Sequence, residues 1–135
     1  MRQAFLQSIL AAICTLSLSC GSMPRPFQQT PGDVVKAFYL AANEGKYSEA
    51  ERMLSEDAGR AIRGDLGQLA GGFKKICDEN TKNGTIIRVE ISKEEIRGEG
   101  ASVVANIFFK DGSSKDNDKN SLIKEKGSWK LTIGE

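Results

Sequence analysis

The spacing of the apolar residues changes near Gly84, and this change constrains the fold more than any other feature of the chain. Before this point, apolar residues recur three and four positions apart, which is the spacing of one face of an α-helix. After it, apolar and polar residues alternate, which is typical of strands that bury one face. Helices followed by strands predict an α+β domain, in which N-terminal helices pack on a curved antiparallel sheet.

The predicted first helix has signals at both ends. Thr30 and Asp33 form the pattern of a capping box, in which each side chain accepts a hydrogen bond from the backbone N–H of the other residue. Pro31 stands at the first helical position, where its missing N–H costs nothing. Gly45 is predicted to end the helix, since glycine readily adopts the left-handed conformation that follows many helices.

Two further helices are predicted before the sheet. Ser48 and Glu51 repeat the capping-box pattern and predict the start of a second helix. Residues 58–77 are predicted to form a third helix, because apolar residues recur there at steps of four and three. These residues are Ile62, Leu66, Leu69, Phe73 and Ile76. Glycines in the same range weaken the predicted helix, since each costs about 0.8–1 kcal/mol relative to alanine.

A meander of about four antiparallel strands is predicted after Gly84, with glycine-containing turns between the strands. The alternating apolar residues are Ile87, Val89 and Ile91, then Val103, Ala105, Ile107 and Phe109, then Trp129, Leu131 and Ile133. Val104 and Phe108 place apolar side chains on the opposite face. The polar run at residues 113–120 is predicted to be a solvated turn. It is not a calcium loop, because lysines oppose the cation and no glutamate follows at the required spacing.

The first 20 residues have the composition of an export signal. Arg2 gives a basic start, and residues 4–18 form an apolar segment with the length of a signal-peptide core. Residues 16–20 resemble the bacterial lipoprotein box, with Ser19 directly before Cys20. We therefore expect residues 1–19 to be a signal peptide and Cys20 to carry acyl chains such as palmitate. The alternative is ordinary secretion with an unmodified Cys20.

An acylated Cys20 would determine where the rest of the chain resides. Gly21, rather than aspartate, follows the cysteine, and the lipoprotein resemblance then implies sorting to the periplasmic side of an outer membrane, where the host has one. Residues 20–29 would form a tether whose prolines favour an extended conformation. Residues 30–135 would form the folded domain, and the membrane is its first expected partner.

Composition excludes several classes of function. Arg2 is the only charged residue before Cys20, so residues 20–135 carry 18 basic and 18 acidic residues and no net charge. A general nucleic-acid binder normally carries a basic excess. The chain has no histidine, which is the commonest general base and metal ligand. We expect no nucleic-acid partner, no metal and no cofactor, and we expect Cys77 to be a half-buried apolar residue rather than a nucleophile.

Several short motifs follow one another in a recognisable order. They are Thr30-Pro31, residues 34–38, Gly45-Lys46-Tyr47, Ala50, Leu54, Lys110-Asp111-Gly112 and residues 122–131. This order resembles the nuclear transport factor two-like superfamily, and within it small bacterial lipoproteins of unknown function that are related to lumazine-binding-like domains. The resemblance implies a cone with a cavity between helices and sheet. Residues that would line this cavity are Phe38, Tyr39, Tyr47, Phe73, Phe109 and Trp129.

Three functions are compatible with these features, and no catalytic motif is present. We expect first a lipid-anchored, non-enzymatic domain of the cell envelope that binds a small apolar ligand or another envelope protein. The second is a small isomerase- or hydrolase-like enzyme that uses a tyrosine and a carboxyl group, such as Asp57, in the cone. The third is a scaffold-like interaction module with a filled cone. An apolar cavity of a few hundred Å³ with an inward carboxylate would favour the enzyme.

Overall fold

Helices precede strands along the chain, as the sequence predicts. The computed structural model describes residues 28–64, 74, 77–79 and 84–133. Its elements are α1 (Pro31–Asn43), α2 (Tyr47–Arg52), α3 (Glu56–Gly64), β1 (Ile86–Arg97), β2 (Gly100–Phe109), β3 (Ser114–Glu125) and β4 (Ser128–Leu131). Lys74 and residues 77–79 are also helical. The predicted α+β class is therefore confirmed.

The strands form one antiparallel sheet in the order β1-β2-β3-β4. The segment between α2 and α3 extends the sheet beyond β4. There the Ser55 N–H donates to the Leu131 carbonyl at 2.8 Å, and the Leu131 N–H donates to the Met53 carbonyl at 2.8 Å. Because these bonds tie the short helices to the edge of the sheet, α2, α3 and β4 hold one another in place.

Helix α1 has the termini that its sequence predicts. The Asp33 N–H donates to the Thr30 hydroxyl at 3.2 Å, and the Thr30 N–H donates to the Asp33 carboxylate at 3.1 Å. This is the predicted capping box, with Pro31 as the first helical residue. Gly45 follows the helix with a φ of +74°, so the prediction of its left-handed role is confirmed.

The prediction of a second capping box, at Ser48 and Glu51, is wrong. Helix α2 begins at Tyr47, and no side chain caps it. The turn at Gly45 places the carbonyl of Lys46 so that it accepts the N–H groups of Glu49 and Ala50, and the helix therefore starts before Ser48 could cap it. The Glu51 carboxylate pairs with Arg63 at 2.8 Å instead of reaching back to the helix start.

Helix α3 starts at Glu56, two residues earlier than predicted, with the Ser55 hydroxyl accepting the Ala58 N–H at 3.1 Å. Ile62 packs in the core, as the apolar stripe predicts. The other members of that stripe (Leu66, Leu69, Phe73 and Ile76) lie outside the described residues. Cys77 is more buried than predicted, with 1% of its surface exposed.

The core lies between α1 and the inner face of the sheet. Val103, Ala105, Ile107 and Phe109 alternate along β2 as buried residues, which confirms the predicted period of two. Val35 and Phe38 of α1 belong to the same cluster. Each large apolar side chain buried in this way contributes about 1.5–3 kcal/mol to the free energy of unfolding, so α1 depends on the sheet for most of its stability.

Two predicted inward positions are instead exposed. The register of β1 against β2 shifts between Ile86 and Arg88, so that Ile86 is buried and Ile87 is 63% exposed. An irregularity of this kind moves the following side chains to the other face of the strand, which a strict alternation cannot anticipate. Ile133 is exposed because β4 already ends at Leu131.

The polar run at residues 113–120 is not a solvated turn. The turn itself is short, and β3 starts at Ser114, so that most of the run pairs with β2. The backbone of β2 needs hydrogen-bond partners along its whole length, and β3 supplies them whatever its side chains are. Asp118 and Asn120 are half-buried and precede the buried Leu122 at steps of two. These two polar residues therefore face the helices.

The outer-face residues Val104 and Phe108 are half-buried. Arg88 of β1 lies opposite Phe108, and its guanidinium carbon is 4.1 Å from the centroid of the Phe108 ring. This cation–π contact covers part of the ring. Within the described ranges, no helix is both long and apolar enough to cross a membrane.

Candidate functional site

A hollow of about 410 Å³ opens beside Trp129, where the β3–β4 hairpin meets the start of α1 and the end of α2. We call it the Trp129 pocket. Its lining residues are Gln28, Gln29, Val34, Met53, Lys124, Gly127, Ser128, Trp129 and Lys130. These described residues supply an aromatic ring, a thioether and two ammonium groups, and none of them carries a carboxylate.

The hairpin turn positions the two most distinctive side chains of the pocket. Lys126 and Gly127 both have positive φ angles, 49° and 82°, which is the geometry of a two-residue type I′ turn. This turn sets the register that places Lys124 directly opposite Trp129. The Lys124 ammonium lies 5.7 Å from the centroid of the indole ring, within the range of a cation–π contact.

The opposite wall depends on the edge bridge between Leu131 and the segment after α2. The carbonyl of Met53 accepts the Leu131 N–H, which fixes Met53 next to the hairpin. The Lys130 ammonium donates to the carbonyl of Arg52 at 2.5 Å, so this lysine also joins the two sides. A pocket built in this way can hold a flat or flexible apolar group against Trp129 and Met53, and a negative group against its lysines.

A second, more open hollow lies next to the Trp129 pocket and shares Ser128 and Lys130 with it. It contains the carboxylates of Glu56 and Glu125. Both carboxylate oxygens of Glu125 lie within hydrogen-bond distance of the Glu56 N–H, at 3.1 and 3.2 Å, at the start of α3. The negative charge of Glu125 is therefore directed at the positive end of the helix.

A partly buried polar cluster joins α1 to β3. The Tyr39 phenol donates to the Asp118 carboxylate, and the Lys115 ammonium lies 2.5 Å from the other oxygen of that carboxylate. The Asn120 amide lies within hydrogen-bond distance of both groups, at 3.3 and 3.4 Å. Burial and the bond to Asp118 raise the pKa of Tyr39 far above its ordinary value. The phenol therefore stays protonated and acts as a fixed donor.

Sequence reasoning missed Asp118, although the chain carried a signal for it. Asp118, Asn120 and Leu122 stand at steps of two, and the last is apolar and buried. A strand that includes Leu122 must place the other two on the same face. The carboxyl group suggested beforehand, Asp57, is exposed on α3 and pairs with Arg60 at 3.6 Å.

The structure does not bring the six predicted cavity residues together. Phe38 and Phe109 pack in the core, and Tyr39 belongs to the polar cluster. Tyr47 lies on α2, where its phenol donates to Asp78 at 3.2 Å. Trp129 lines the Trp129 pocket. The remaining predicted residues, Phe73 and the lipidation site Cys20, lie outside the described residues.

The Cys77 thiol is a weak nucleophile. Burial, followed by the nearby charge of Asp78, raises the pKa of the Cys77 thiol to about 11, so little thiolate exists at neutral pH. Among the residues that the structure describes, no group of three or more His, Cys, Asp or Glu side chains could hold a metal ion.

Comparison with known families shows to which family the chain belongs. Residues 20–132 match a family model described as "Domain of unknown function (DUF4878)". The chain belongs to this family. The match extends from the predicted lipidation site to the residue after β4, so the DUF4878 domain includes both the Trp129 pocket and the segment that precedes α1. No curated protein matches the chain in sequence.

The DUF4878 domain is similar in fold to several solved structures. A candidate NTF2-like transpeptidase from Campylobacter jejuni aligns with a TM-score of 0.64 at 14% identity, covering 78% of this chain and 100% of that one. A SEC-C motif-containing protein from Rhodopseudomonas palustris aligns with a TM-score of 0.55 at 12% identity, covering 79% and 80%. A candidate calcium/calmodulin-dependent protein kinase type II association domain from Thiobacillus denitrificans aligns with a TM-score of 0.53 at 16% identity, covering 82% and 99%. At these identities the similarity concerns the fold alone, and it agrees with the expected nuclear transport factor two-like architecture.

Proposed function

We propose that this DUF4878 domain is a lipid-anchored, non-enzymatic binding domain of the bacterial cell envelope, and that the Trp129 pocket is its ligand site. In this proposal residues 1–19 direct export, acylated Cys20 anchors the chain, and residues 20–29 connect the anchor to the domain. Where the host has an outer membrane, the anchor lies in its periplasmic leaflet. The Trp129 pocket is the observation that carries the proposal.

The size and lining of the pocket support a binding role. Small-molecule sites in proteins typically enclose about 300–1,000 Å³ and combine apolar walls with a few polar groups. The Trp129 pocket, at about 410 Å³, falls in this range. Its ring and thioether provide the apolar wall, while Lys124 and Lys130 provide positive charge at the rim. The favoured ligand has an apolar body and an anionic group.

The position of the ligand site differs from the one that the family resemblance implies. The space between α1 and the sheet contains Phe38 and Phe109 as members of the core. This packing supports the filled interior of the scaffold-like alternative, so ligand binding is assigned to the open end near Trp129. Binding of a second envelope protein at the same end remains part of the proposal.

The enzymatic alternative has one supporting observation, which is the pair of Tyr39 and Asp118. A tyrosine and a carboxyl group do meet inside the fold, as that alternative requires. However, Lys115 and Asn120 already satisfy the carboxylate, and neither Tyr39 nor Asp118 lines the Trp129 pocket or the hollow beside it. The pair is better placed to join α1 to β3 than to meet a substrate.

Cell fractionation tests the anchor. The native chain is expected in the membrane fraction. A Cys20→Ala chain, exported by the signal peptide of a soluble secreted protein in place of residues 1–19, is expected in the soluble fraction. Cys14→Ala in the native chain is the matched control and should remain in the membrane. A native chain that is already soluble would contradict the anchor.

Native mass spectrometry of the soluble Cys20→Ala protein, purified from its host, tests the pocket. We expect a fraction of the protein to retain a non-covalent small molecule. Trp129→Leu should abolish this retained mass, because the indole ring is lost while the site stays apolar. Leu40→Ala, at an exposed position on α1, is the control and should keep it. Equal retention in both variants would exclude the Trp129 pocket as the ligand site.

A further inference from the structure

Basic side chains without an ion pair concentrate at the end of the molecule that holds the Trp129 pocket. Elsewhere in the described residues, most lysines and arginines pair with carboxylates, and only Lys36, Lys110 and Lys119 do not. The paired residues are Lys46, Arg60, Arg63, Lys74, Arg88, Lys93, Arg97 and Lys115. In the described β3–β4 hairpin, no carboxylate oxygen lies within 4.0 Å of the ammonium groups of Lys124, Lys126 or Lys130. We call these three lysines together with Trp129 the hairpin corner.

Two carboxylates near the hairpin corner are already engaged. Glu125 accepts the N–H of Glu56 at the start of α3. The Glu56 carboxylate in turn pairs with Arg60 at 3.0 Å. Arg52, whose carbonyl accepts a hydrogen bond from Lys130, adds a further exposed cation without an ion pair within the described ranges. Glu99 also adjoins the corner, since its carbonyl accepts the Lys124 N–H at 2.7 Å. Arg52 and the three lysines outnumber the carboxylates of Glu99 and Glu125, so the corner is locally positive although residues 20–135 carry no net charge.

The connection to the predicted anchor starts at this same corner. Gln28 and Gln29 line the Trp129 pocket, and Cys20 precedes Gln28 by eight positions. Eight extended residues span at most about 28 Å, which limits the distance between the pocket and the lipidated residue. The opposite end of β3, next to Lys110, lies roughly 37 Å away along the strand. The reach of the tether is shorter than the strand, so it holds the hairpin corner nearer to the anchor than the Lys110 end of the domain.

We propose that the hairpin corner docks on the anionic phospholipid surface of the membrane that carries the anchor, with a lipid phosphate at Lys124 and Lys130. This inference rests on the proposed function, and it names the ligand class of the Trp129 pocket. Anionic lipid surfaces attract clusters of lysine that lie within a Debye length. Trp129 is half-exposed, and indole rings favour the boundary between headgroups and acyl chains because they are both apolar and polar.

Fluorescence provides the test, because Trp129 is the only tryptophan in the chain. The soluble Cys20→Ala protein is titrated with vesicles of phosphatidylcholine alone, or of phosphatidylcholine mixed with phosphatidylglycerol, both with brominated acyl chains. We expect Trp129 emission to shift to the blue and to be quenched by the anionic vesicles only. Added salt should weaken the effect. Removal of one positive charge from the hairpin corner should weaken binding to the anionic vesicles roughly fivefold. The variants that do this are Lys124→Gln, Lys126→Gln and Lys130→Gln.

Lys110→Gln is the matched control, since it removes the same charge at the far end of β3 and should leave the titration unchanged. Three results would overturn the proposal. They are equal quenching by neutral and anionic vesicles, equal effects of Lys110→Gln and Lys124→Gln, and the same emission shift with inorganic phosphate and no vesicles. The last result would assign the pocket to a soluble anion.

Failure of the anchor and failure of the docking are distinguishable. The titration uses a protein without acyl chains, so it reports on the hairpin corner alone. Fractionation of the native chain reports on Cys20 alone. A soluble native chain that still binds anionic vesicles would contradict the anchor and support the docking surface. The opposite pair of results is a native chain in the membrane fraction and a Cys20→Ala protein whose Trp129 emission does not change with anionic vesicles. It would support the anchor and contradict the docking.

Discussion

The phenol of Tyr39 in α1 donates a hydrogen bond to the carboxylate of Asp118 in β3, across 79 positions of sequence. This partly buried bond joins the first helix to the third strand. Lys115 and Asn120 complete the hydrogen bonding of the same carboxylate. Because the groups satisfy one another inside the fold, the cluster fixes the position of α1 on the sheet.

Tyr39→Phe should destabilise the domain by about 1–3 kcal/mol, because it leaves a half-buried carboxylate without one of its donors. The free energy of unfolding measured with urea checks this. Tyr47→Phe is the control, since its phenol bonds to the exposed Asp78, and it should change stability by less than about 0.5 kcal/mol. Equal losses of free energy of unfolding in the two variants would show that the Tyr39–Asp118 bond contributes no more than an exposed hydrogen bond.

The stability that Tyr39 contributes should disappear at high pH. Its folded-state pKa lies above the ordinary value of 10.0. The contribution is therefore complete below pH 10 and falls above it by about 1.4 kcal/mol per pH unit, because the unfolded chain then loses a proton that the folded chain keeps. The difference in free energy of unfolding between wild type and Tyr39→Phe should shrink above pH 10. A constant difference up to pH 11 would contradict the raised pKa.

Gly59→Ala should stabilise the domain by roughly 0.5–1 kcal/mol, because alanine is the better helix former in the interior of α3. The nearest atoms to a new methyl group are those of the Arg63 guanidinium, at 3.4 Å, and this side chain can move. Gly45→Ala is the matched control. Its φ of +74° disfavours alanine, so this variant should lower the melting temperature while Gly59→Ala raises it.

Phe109 and Trp129 should differ in their effect on stability. Phe109 is 1% exposed, and Phe109→Ala should cost about 3–5 kcal/mol because it leaves a cavity. Trp129 packs against the core but is only partly buried, so Trp129→Ala should cost roughly half as much. Chemical denaturation of both variants measures this. A larger loss for Trp129→Ala would mean that the indole is a core residue rather than a pocket wall.

Two parts of the fold that follow from local sequence, the cap of α1 and the buried face of β2, were predicted correctly. The cap of α1 depends on Thr30, Pro31 and Asp33, which are neighbours in the chain. The buried face of β2 depends on alternation within one strand. The start of β3 depends instead on hydrogen bonds to β2, so the polar residues at 114–120 gave no local sign of a strand. The exposure of Ile87 likewise follows from a shift in register between two strands.

The candidate site was predicted only in part. Trp129 was expected to line a cavity, and it does line a pocket, but at the edge of the sheet rather than between α1 and the core. The lysines of the hairpin corner were not singled out, because lysine is common on any surface. Their importance comes from the absence of an ion pair to any of these three lysines among the described residues, which depends on where the carboxylates of α3 lie. Such neighbours are set by tertiary structure.

The intact mass of the mature protein, extracted from its host with a mild detergent, tests the central claim most directly. The account predicts a polypeptide that begins at Cys20 and carries the added mass of acyl chains on that residue. The proposed anchor, the short connection to the Trp129 pocket and the docking of the hairpin corner in the native membrane all depend on this result. An unmodified chain, or one that begins at any other residue, would contradict the account.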